Sequence, residues 1–142
     1  MGSEVLLGSA ADEPAIAAIV ADGASQRSLA DYLVPESNRS LWHSWTTRLM
    51  YASVRLFTGQ TPPGRTLLSS ITDAKDTRFL FIAAETVEKE PLFGGLYHDA
   101  VPERSALWVV PNTGHTQGLT IAREEYVSRV IAFFDETLLV NE

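Results

Sequence analysis

One histidine and a group of glutamates follow apolar runs, at the points where buried strands would end. His115 comes four residues after the run 106–111, beyond the turn "NTG". Three acidic residues follow the apolar run 78–84: Glu85, Glu88 and Glu90. Because functional groups collect outside the carboxyl ends of parallel strands, we expect the imidazole and a carboxylate to meet there. A carboxylate that orients an imidazole, and an imidazole that takes a proton from a serine, are two of the three members of an acyl-transfer triad.

The elements that position these groups alternate along the chain. Three strands are predicted from apolar runs, at 15–23, 78–84 and 106–111. The first of these runs is continuous and closed by Asp-Gly, which is typical of a strand buried on both faces. Helices are predicted at 2–11, 41–57, 91–101 and about 120–139. Strands that alternate with helices favour right-handed crossovers, so the sequence predicts an α/β fold with about three parallel strands and flanking helices.

Composition narrows the class of protein. The chain has 142 residues, 45% of them hydrophobic, which suits one domain spanning 1–142. A net charge of −7 argues against a nucleic-acid or membrane partner. The sequence contains no cysteine and shows no signal peptide, and we expect a cytoplasmic protein. Neither His43 nor His98 has a second ligand at a metal-binding spacing, so we expect no metal and no cofactor.

Three segments carry a resemblance to a known family: "RFLFIAAETVEKE", "ALWVVPNTGHTQGL" and "EEYVSRVIAFFDETLL". They are similar to the C-terminal part of α/β-hydrolases of the dienelactone-hydrolase and serine esterase or peptidase type, in which the acid precedes the histidine. The resemblance implies hydrolysis of an ester, lactone or peptide, with His115 as the catalytic base. It also implies a partial α/β-hydrolase sheet with a helical cap at 25–75, in which Trp42 and Trp45 cover an acyl pocket.

The nucleophile elbow of that family, G-x-S-x-G, does not occur in the sequence. The opening "MGSEVLLGSAA" resembles the helix that follows such an elbow. This places the nucleophile immediately upstream of Met1 and makes the backbone N–H of Met1 an oxyanion donor. We therefore expect this chain to be the C-terminal portion of a serine hydrolase and to be inactive by itself. Ser25 is a weaker internal candidate for the nucleophile, because Gln26 and Arg27 replace the second glycine of an elbow.

The resemblance leaves the acid of the triad open between two glutamates. The family carries its aspartate a few residues past the strand, and alignment puts Val87 near that position. Glu88 stands one residue later and Glu85 two residues earlier, so Glu88 is favoured and Glu85 is the alternative. Either carboxylate would hold the imidazole of His115 in the tautomer that a base requires.

A different class of function is a non-catalytic interaction domain that keeps His115 as an idle residue. A sheet of three strands leaves the edge of the strand at 15–23 without its neighbour, and an open edge invites pairing with a second copy or another chain. Apolar surface left uncovered at such an edge costs roughly 25 cal/mol per Å². We therefore expect this chain to form a homo-oligomer or to associate through this edge. A small acyl substrate is expected only for the full-length hydrolase.

Overall fold

The computed structural model describes residues 2–27, 29–32, 41–61 and 64–139. Helices and strands alternate in it as the sequence predicts. In chain order the elements are α1 (Gly2–Ser9), β1 (Ala18–Asp22), α2 (Leu29–Tyr32), α3 (Leu41–Thr58), α4 (Leu67–Asp73), β2 (Arg78–Ala84), α5 (Lys89–Ala100), β3 (Ser105–Val110), α6 (Gly118–Ile121) and α7 (Arg123–Leu138).

The three strands form one parallel sheet in the order β1-β2-β3. Asp22 at the end of β1 is in register with Ile82, and Ala84 at the end of β2 is in register with Val110 at the end of β3. The carboxyl ends of all three strands therefore lie along one edge of the sheet. The predicted α/β fold with three parallel strands and flanking helices is confirmed.

The central strand β2 carries the core on both of its faces. Phe79 and Phe81 pack on one face against side chains of α1, α4 and α5, where Leu7, Ile71 and Tyr97 are buried. Leu80 and Ile82 pack on the opposite face with Trp108 of β3 and with α7. Since parallel strands covered by helices on both sides need apolar residues at consecutive positions, the run "FLFIAA" is buried throughout.

The edge strand β1 differs from the prediction that it is buried on both faces. Ile19 and Ala21 are buried beside α1, whereas Ala18, Val20 and Asp22 are half-buried. The physical reason is its place in the sheet: among the described residues no strand pairs with the second edge of β1. β1 is therefore an edge strand of the described sheet, although its apolar run is continuous.

Two helical regions also differ from the prediction. The helix predicted at about 120–139 is divided at Ala122, which ends α6 and begins α7. Helix α4 falls inside the predicted cap range 25–75, yet Leu67 and Ile71 are fully buried in the main core. Helix α3 exposes its apolar side chains, with Trp45 at 63%, and the side chain of Trp42 lies outside the described part. None of the helices in the described ranges is long and apolar enough to cross a membrane.

Candidate active site

His115 and Glu90 meet at the carboxyl edge of the sheet. The imidazole Nδ1 of His115 lies 2.5 Å from Oε1 of Glu90. The side chain of His115 is 61% exposed, whereas that of Glu90 is 2% exposed. A buried carboxylate thus holds one nitrogen of a ring whose body faces solvent.

The second oxygen of Glu90 is held by the backbone. Oε2 accepts a hydrogen bond from the N–H of Ala84, the last residue of β2, at 2.8 Å. A carboxylate accepts at both oxygens, so the group at Oε1 has to be a donor, and Nδ1 of His115 carries its proton there. With Nδ1 protonated, Nε2 of the neutral ring is left as an acceptor, which is the tautomer that a general base needs.

Glu90 therefore occupies the position for which Glu88 and Glu85 were predicted. Helix α5 begins at Lys89, which places Glu90 in the first turn, close to the end of β2. Glu88 is exposed, and its side chain makes no capping hydrogen bond to the helix. Glu85 is exposed as well, and its Oε2 accepts from the N–H of Asn112 at 2.8 Å. The structure thus brings neither predicted glutamate to the imidazole.

The turn that presents His115 is tied to the end of the neighbouring strand. Thr113 is fully buried, and its hydroxyl donates to the carbonyl of Val110 at 2.8 Å. The hydroxyl of Thr86, just past β2, donates to the carbonyl of Thr113 at 2.7 Å. Because the turns after β2 and β3 are bonded to each other, the backbone that leads to His115 is fixed relative to the sheet.

Gly23 forms the floor beneath the imidazole. It follows Asp22 at the end of β1 and has φ +67°, a left-handed conformation that L side chains rarely adopt. A Cβ at this position would lie 2.8 Å from Cε1 and 2.9 Å from Nδ1 of His115, and 3.5 Å from Oε1 of Glu90. The Asp-Gly pair therefore ends the strand and also leaves room for the ring.

Asp22 is a second carboxylate at this edge. The hydroxyl of Tyr126 on α7 donates to its Oδ2 at 3.1 Å. Burial raises the pKa of the Asp22 carboxyl; the Tyr126 hydrogen bond lowers it, Glu90 raises it and His115 lowers it. Burial, with the charge of Asp22 and their hydrogen bond, raises the pKa of Tyr126 to about 12, so its hydroxyl is a neutral donor at neutral pH.

The first turn of α1 lies at the outer edge of β1. The carbonyl of Ala17 and the N–H of Gly23 both bond to β2, at 2.9 Å each. Since alternate residues of a strand bond to the same neighbour, the carbonyl of Asp22 points away from β2. The hydroxyl of Ser3 donates to that carbonyl at 2.8 Å. The start of α1 is therefore next to Asp22 and Gly23, on the side of β1 that has no strand in the described ranges.

The other predicted participants are placed differently. The carbonyl of Ser25 accepts a hydrogen bond from the buried hydroxyl of Tyr97, and within the described residues the Ser25 hydroxyl is not bonded to His115. Met1, the predicted oxyanion donor, lies outside the described residues.

A second histidine–serine pair lies at the opposite end of the sheet. Nδ1 of His98 is 2.8 Å from the hydroxyl of Ser105, the first residue of β3. That hydroxyl donates to the carbonyl of Val101 at 2.9 Å. Its proton is committed to the backbone, so His98 is the donor in this pair and Ser105 is not activated as a nucleophile. The pair closes the end of α5.

Comparisons with known proteins bear on the fold. No protein-family model and no curated protein matches the sequence. The structure is similar to that of an esterase from Pyrococcus furiosus, with a TM-score of 0.57 and 19% sequence identity. The similarity concerns the fold. The match covers 96% of this chain and 50% of the esterase, so the chain spans half the length of that protein.

Three residues at this edge of the sheet were not predicted from the sequence: Gly23, Asp22 and Tyr126. Asp22 and Tyr126 are 104 residues apart in sequence, and their contact depends on α7 packing over the end of β1. The Asp-Gly pair after the first apolar run was the available signal, because a carboxylate and a left-handed glycine at the end of a parallel strand lie where functional groups collect.

Proposed function

We propose that the chain is the C-terminal portion of a serine α/β-hydrolase that acts on an ester, lactone or peptide. His115 is the general base, Glu90 is the acid that orients it, and the nucleophile is a serine upstream of Met1. One observation carries the proposal: a carboxylate 2% exposed bridges the backbone N–H of Ala84 and Nδ1 of His115. Packing of the core does not require a buried carboxylate that is bonded to a largely exposed imidazole. Base catalysis by a histidine does require such a carboxylate.

In the proposed reaction the serine Oγ attacks the acyl carbon and its proton passes to Nε2 of His115. Glu90 keeps Nδ1–H in place and stabilises the imidazolium that forms. The tetrahedral intermediate collapses, and Nε2 gives the proton to the departing alcohol or amine. Water then attacks the acyl-enzyme, loses a proton to Nε2, and the carboxylic acid leaves as the serine regains its proton.

The place of α1 supports a nucleophile from the preceding segment. Its first turn is bonded to the outer edge of β1 through Ser3, beside the glycine on which the His115 ring lies. A strand paired with that edge and turning into α1 would present its last residue toward the imidazole. A backbone N–H at the start of the helix, the role predicted for Met1, would then stabilise the oxyanion.

We also propose that α2 and α3, within the predicted 25–75 range, form a cap over the acyl pocket. Over residues 45–58, where its side chains are described, helix α3 carries six exposed large apolar side chains: Trp45, Leu49, Met50, Val54, Leu56 and Phe57. Six such side chains on one 18-residue helix suit a surface that contacts an acyl chain or the remainder of the hydrolase.

The first test separates the upstream nucleophile from Ser25. We expect no ester hydrolysis by the 142-residue chain beyond the level seen in its His115→Ala and Ser25→Ala variants, because the nucleophile is absent. The assay is hydrolysis of a p-nitrophenyl ester, and the codons before Met1 are expected to encode a strand followed by Gly-x-Ser. Turnover lost in both variants would make Ser25 the nucleophile, and upstream codons of any other kind would refute the truncation.

A second candidate function is a non-catalytic domain that associates with a second copy of itself, and the open edge of β1 favours it. Helices α1 and α7 pack on opposite faces of the sheet, and each exposes apolar side chains. Val5 and Leu6 of α1 are 59% and 47% exposed, and Val127 and Ile131 of α7 are 40% and 54% exposed. Unpaired backbone groups between two apolar helices make a surface that another strand can cover.

The oligomer is tested by changing backbone donors of β1. By the alternation described above, the N–H of Val20 points to the outer edge, whereas the N–H of Ala21 points to β2. We expect the chain to be a dimer or larger by light scattering at two concentrations, and Val20→Pro to shift it to monomer while keeping its circular dichroism. Ala21→Pro is the control and should unfold the sheet. A monomer at both concentrations would contradict self-association.

A further inference from the structure

Asp22 accepts a hydrogen bond from Tyr126, and the next residue, Gly23, lies under the imidazole of His115 where it meets Glu90. The charges of Glu90 and His115 both act on the pKa of the Asp22 carboxyl. Tyr126 comes from α7, Glu90 from the first turn of α5, and His115 from the turn after β3. The carboxyl is half-buried, and of the described groups that act on it His115 is the one that becomes a cation. A second carboxylate therefore stands beside the pair formed by Glu90 and His115.

The contact with Tyr126 fixes this carboxylate relative to the histidine turn. The Tyr126 ring lies against Gly118, where a Cβ would be 3.3 Å from the ring Cδ2. Gly118 begins α6, three residues after His115. Tyr126 thus packs against the segment that presents the imidazole and also bonds to Asp22 at the end of β1. Gly23, which follows Asp22, lies under the imidazole itself.

The charged form of Asp22 is unfavourable in these surroundings. Burial opposes its charged form, the negative charge of Glu90 adds to this, and one neutral hydroxyl bond only partly offsets it. A tether between β1 and α7 would be served equally well by asparagine, which also accepts from Tyr126. The position therefore calls for a reason to keep a charge, and the nearby imidazole provides one.

We propose that Asp22 is a second positioning carboxylate of this site, held by Tyr126, which together with Glu90 stabilises the imidazolium that His115 forms when it accepts a proton. The inference rests on the proposed role of His115 as a base. Two carboxylates near one imidazole favour its charged form more than one carboxylate does. When the proton leaves, the two negative charges again lie beside a neutral ring.

The direct test is the titration of Asp22 itself, followed by carboxyl ¹³C NMR in the 142-residue chain. Coupling between two ionisable groups is reciprocal, so a cation on His115 that is stabilised by Asp22 must also lower the pKa of Asp22. We expect His115→Gln to raise the pKa of Asp22, and Glu90→Gln to lower it because a like charge is removed. His98→Gln, at the opposite end of the sheet, is the matched control and should leave it unchanged.

Tyr126→Phe keeps the ring against Gly118 and removes only the hydroxyl, and it should also raise the pKa of Asp22. An Asp22 titration that responds to Tyr126→Phe but not to His115→Gln would reduce the residue to a structural tether and overturn the inference. Because no substrate is involved, a failed esterase assay would count against the proposed function and leave this result standing.

Stability against pH gives an independent measurement. The pKa of Asp22 is raised in the folded state above its ordinary value of 3.8, so the ionised carboxylate lowers the free energy of unfolding at neutral pH. Asp22→Asn should therefore be more stable than the wild type at pH 7. The difference should shrink as the pH falls through the raised pKa and become constant below 3.8, where aspartate is protonated in both states. A difference in melting temperature that does not change with pH would contradict a raised pKa of the Asp22 carboxyl.

Discussion

Glu90→Gln is expected to invert the tautomer of His115. Two donors face the carboxylate of Glu90, the backbone N–H of Ala84 and Nδ1–H of His115. Glutamine has one oxygen, and the backbone N–H cannot act as an acceptor, so the amide oxygen stays on Ala84 and the NH₂ group faces Nδ1. The proton of the neutral ring then moves to Nε2, and the nitrogen that should receive the serine proton is blocked.

This change should have the largest functional effect in the molecule. In the proposed full-length hydrolase, we expect a loss of about 10⁴-fold in kcat, as when the acid of a catalytic triad becomes its amide and the histidine takes the wrong tautomer. In the 142-residue chain, ¹⁵N chemical shifts of the imidazole should report Nδ1–H in the wild type and Nε2–H in the variant. Glu88→Gln and Glu85→Gln are matched controls, since both glutamates are exposed and neither contacts the ring. The same inversion in Glu88→Gln would show that the acid has been assigned to the wrong residue.

Gly23→Ala is expected to push His115 off Glu90. The new Cβ would lie under 3 Å from both Cε1 and Nδ1 of the imidazole, at 2.8 and 2.9 Å. The ring is the mobile partner because its side chain is 61% exposed, so it swings away and its bond to Glu90 is lost. A displacement of about 1 Å in a catalytic group can cost about 10²-fold in rate, and we expect at least that loss in the proposed full-length hydrolase.

Gly59 supplies the control for the backbone part of this effect. It has φ +69°, nearly the φ of Gly23, but a Cβ there meets nothing within 4 Å. Alanine in the left-handed region costs about 1–2 kcal/mol, so Gly59→Ala and Gly23→Ala should both lower the free energy of unfolding measured in urea. The Nδ1–H signal of His115 should disappear in Gly23→Ala alone. Its persistence there would mean that the imidazole does not lie on Gly23.

The sheet could be predicted from the sequence because each of its strands coincides with a continuous apolar run. The predicted strand 78–84 has the bounds of β2, since every residue after Arg78 is buried in the middle of the sheet. The prediction that 15–23 is buried on both faces was wrong, because a continuous apolar run does not show whether its strand is central or at the edge of a sheet. Among the described residues β1 is an edge strand, and Ala18, Val20 and Asp22 are half-buried.

The glutamate that contacts His115 was not predicted because of one helix boundary. The predicted helix 91–101 begins at Pro91, whereas α5 begins at Lys89 and holds this proline in its first turn. Proline is tolerated there because the first N–H groups of a helix have no partner within it. Starting the helix two residues earlier turns Glu90 from a loop residue into a buried first-turn carboxylate close to Ala84. Residue spacing along an assumed loop could not show this.

The position of His115 was predicted from the sequence, and its contacts were not. His115 stands at the carboxyl edge of the sheet, as the turn after the third strand predicted. Its contacts with Gly23 and Glu90, and the bond between Asp22 and Tyr126, join elements that are far apart in sequence. Such contacts follow from the register of parallel strands and from the packing of α7, which a pattern of residue types does not contain.

We propose that His115 and Glu90 activate a serine immediately before α1. This proposal is tested most directly by fluorophosphonate labelling of the chain translated from its upstream codons, with the modified residue located by mass spectrometry. We expect one labelled serine directly before Met1. Labelling should be abolished by His115→Ala, strongly reduced by Glu90→Gln and unchanged in His98→Ala. Labelling that survives His115→Ala, or that falls on Ser25, would contradict it.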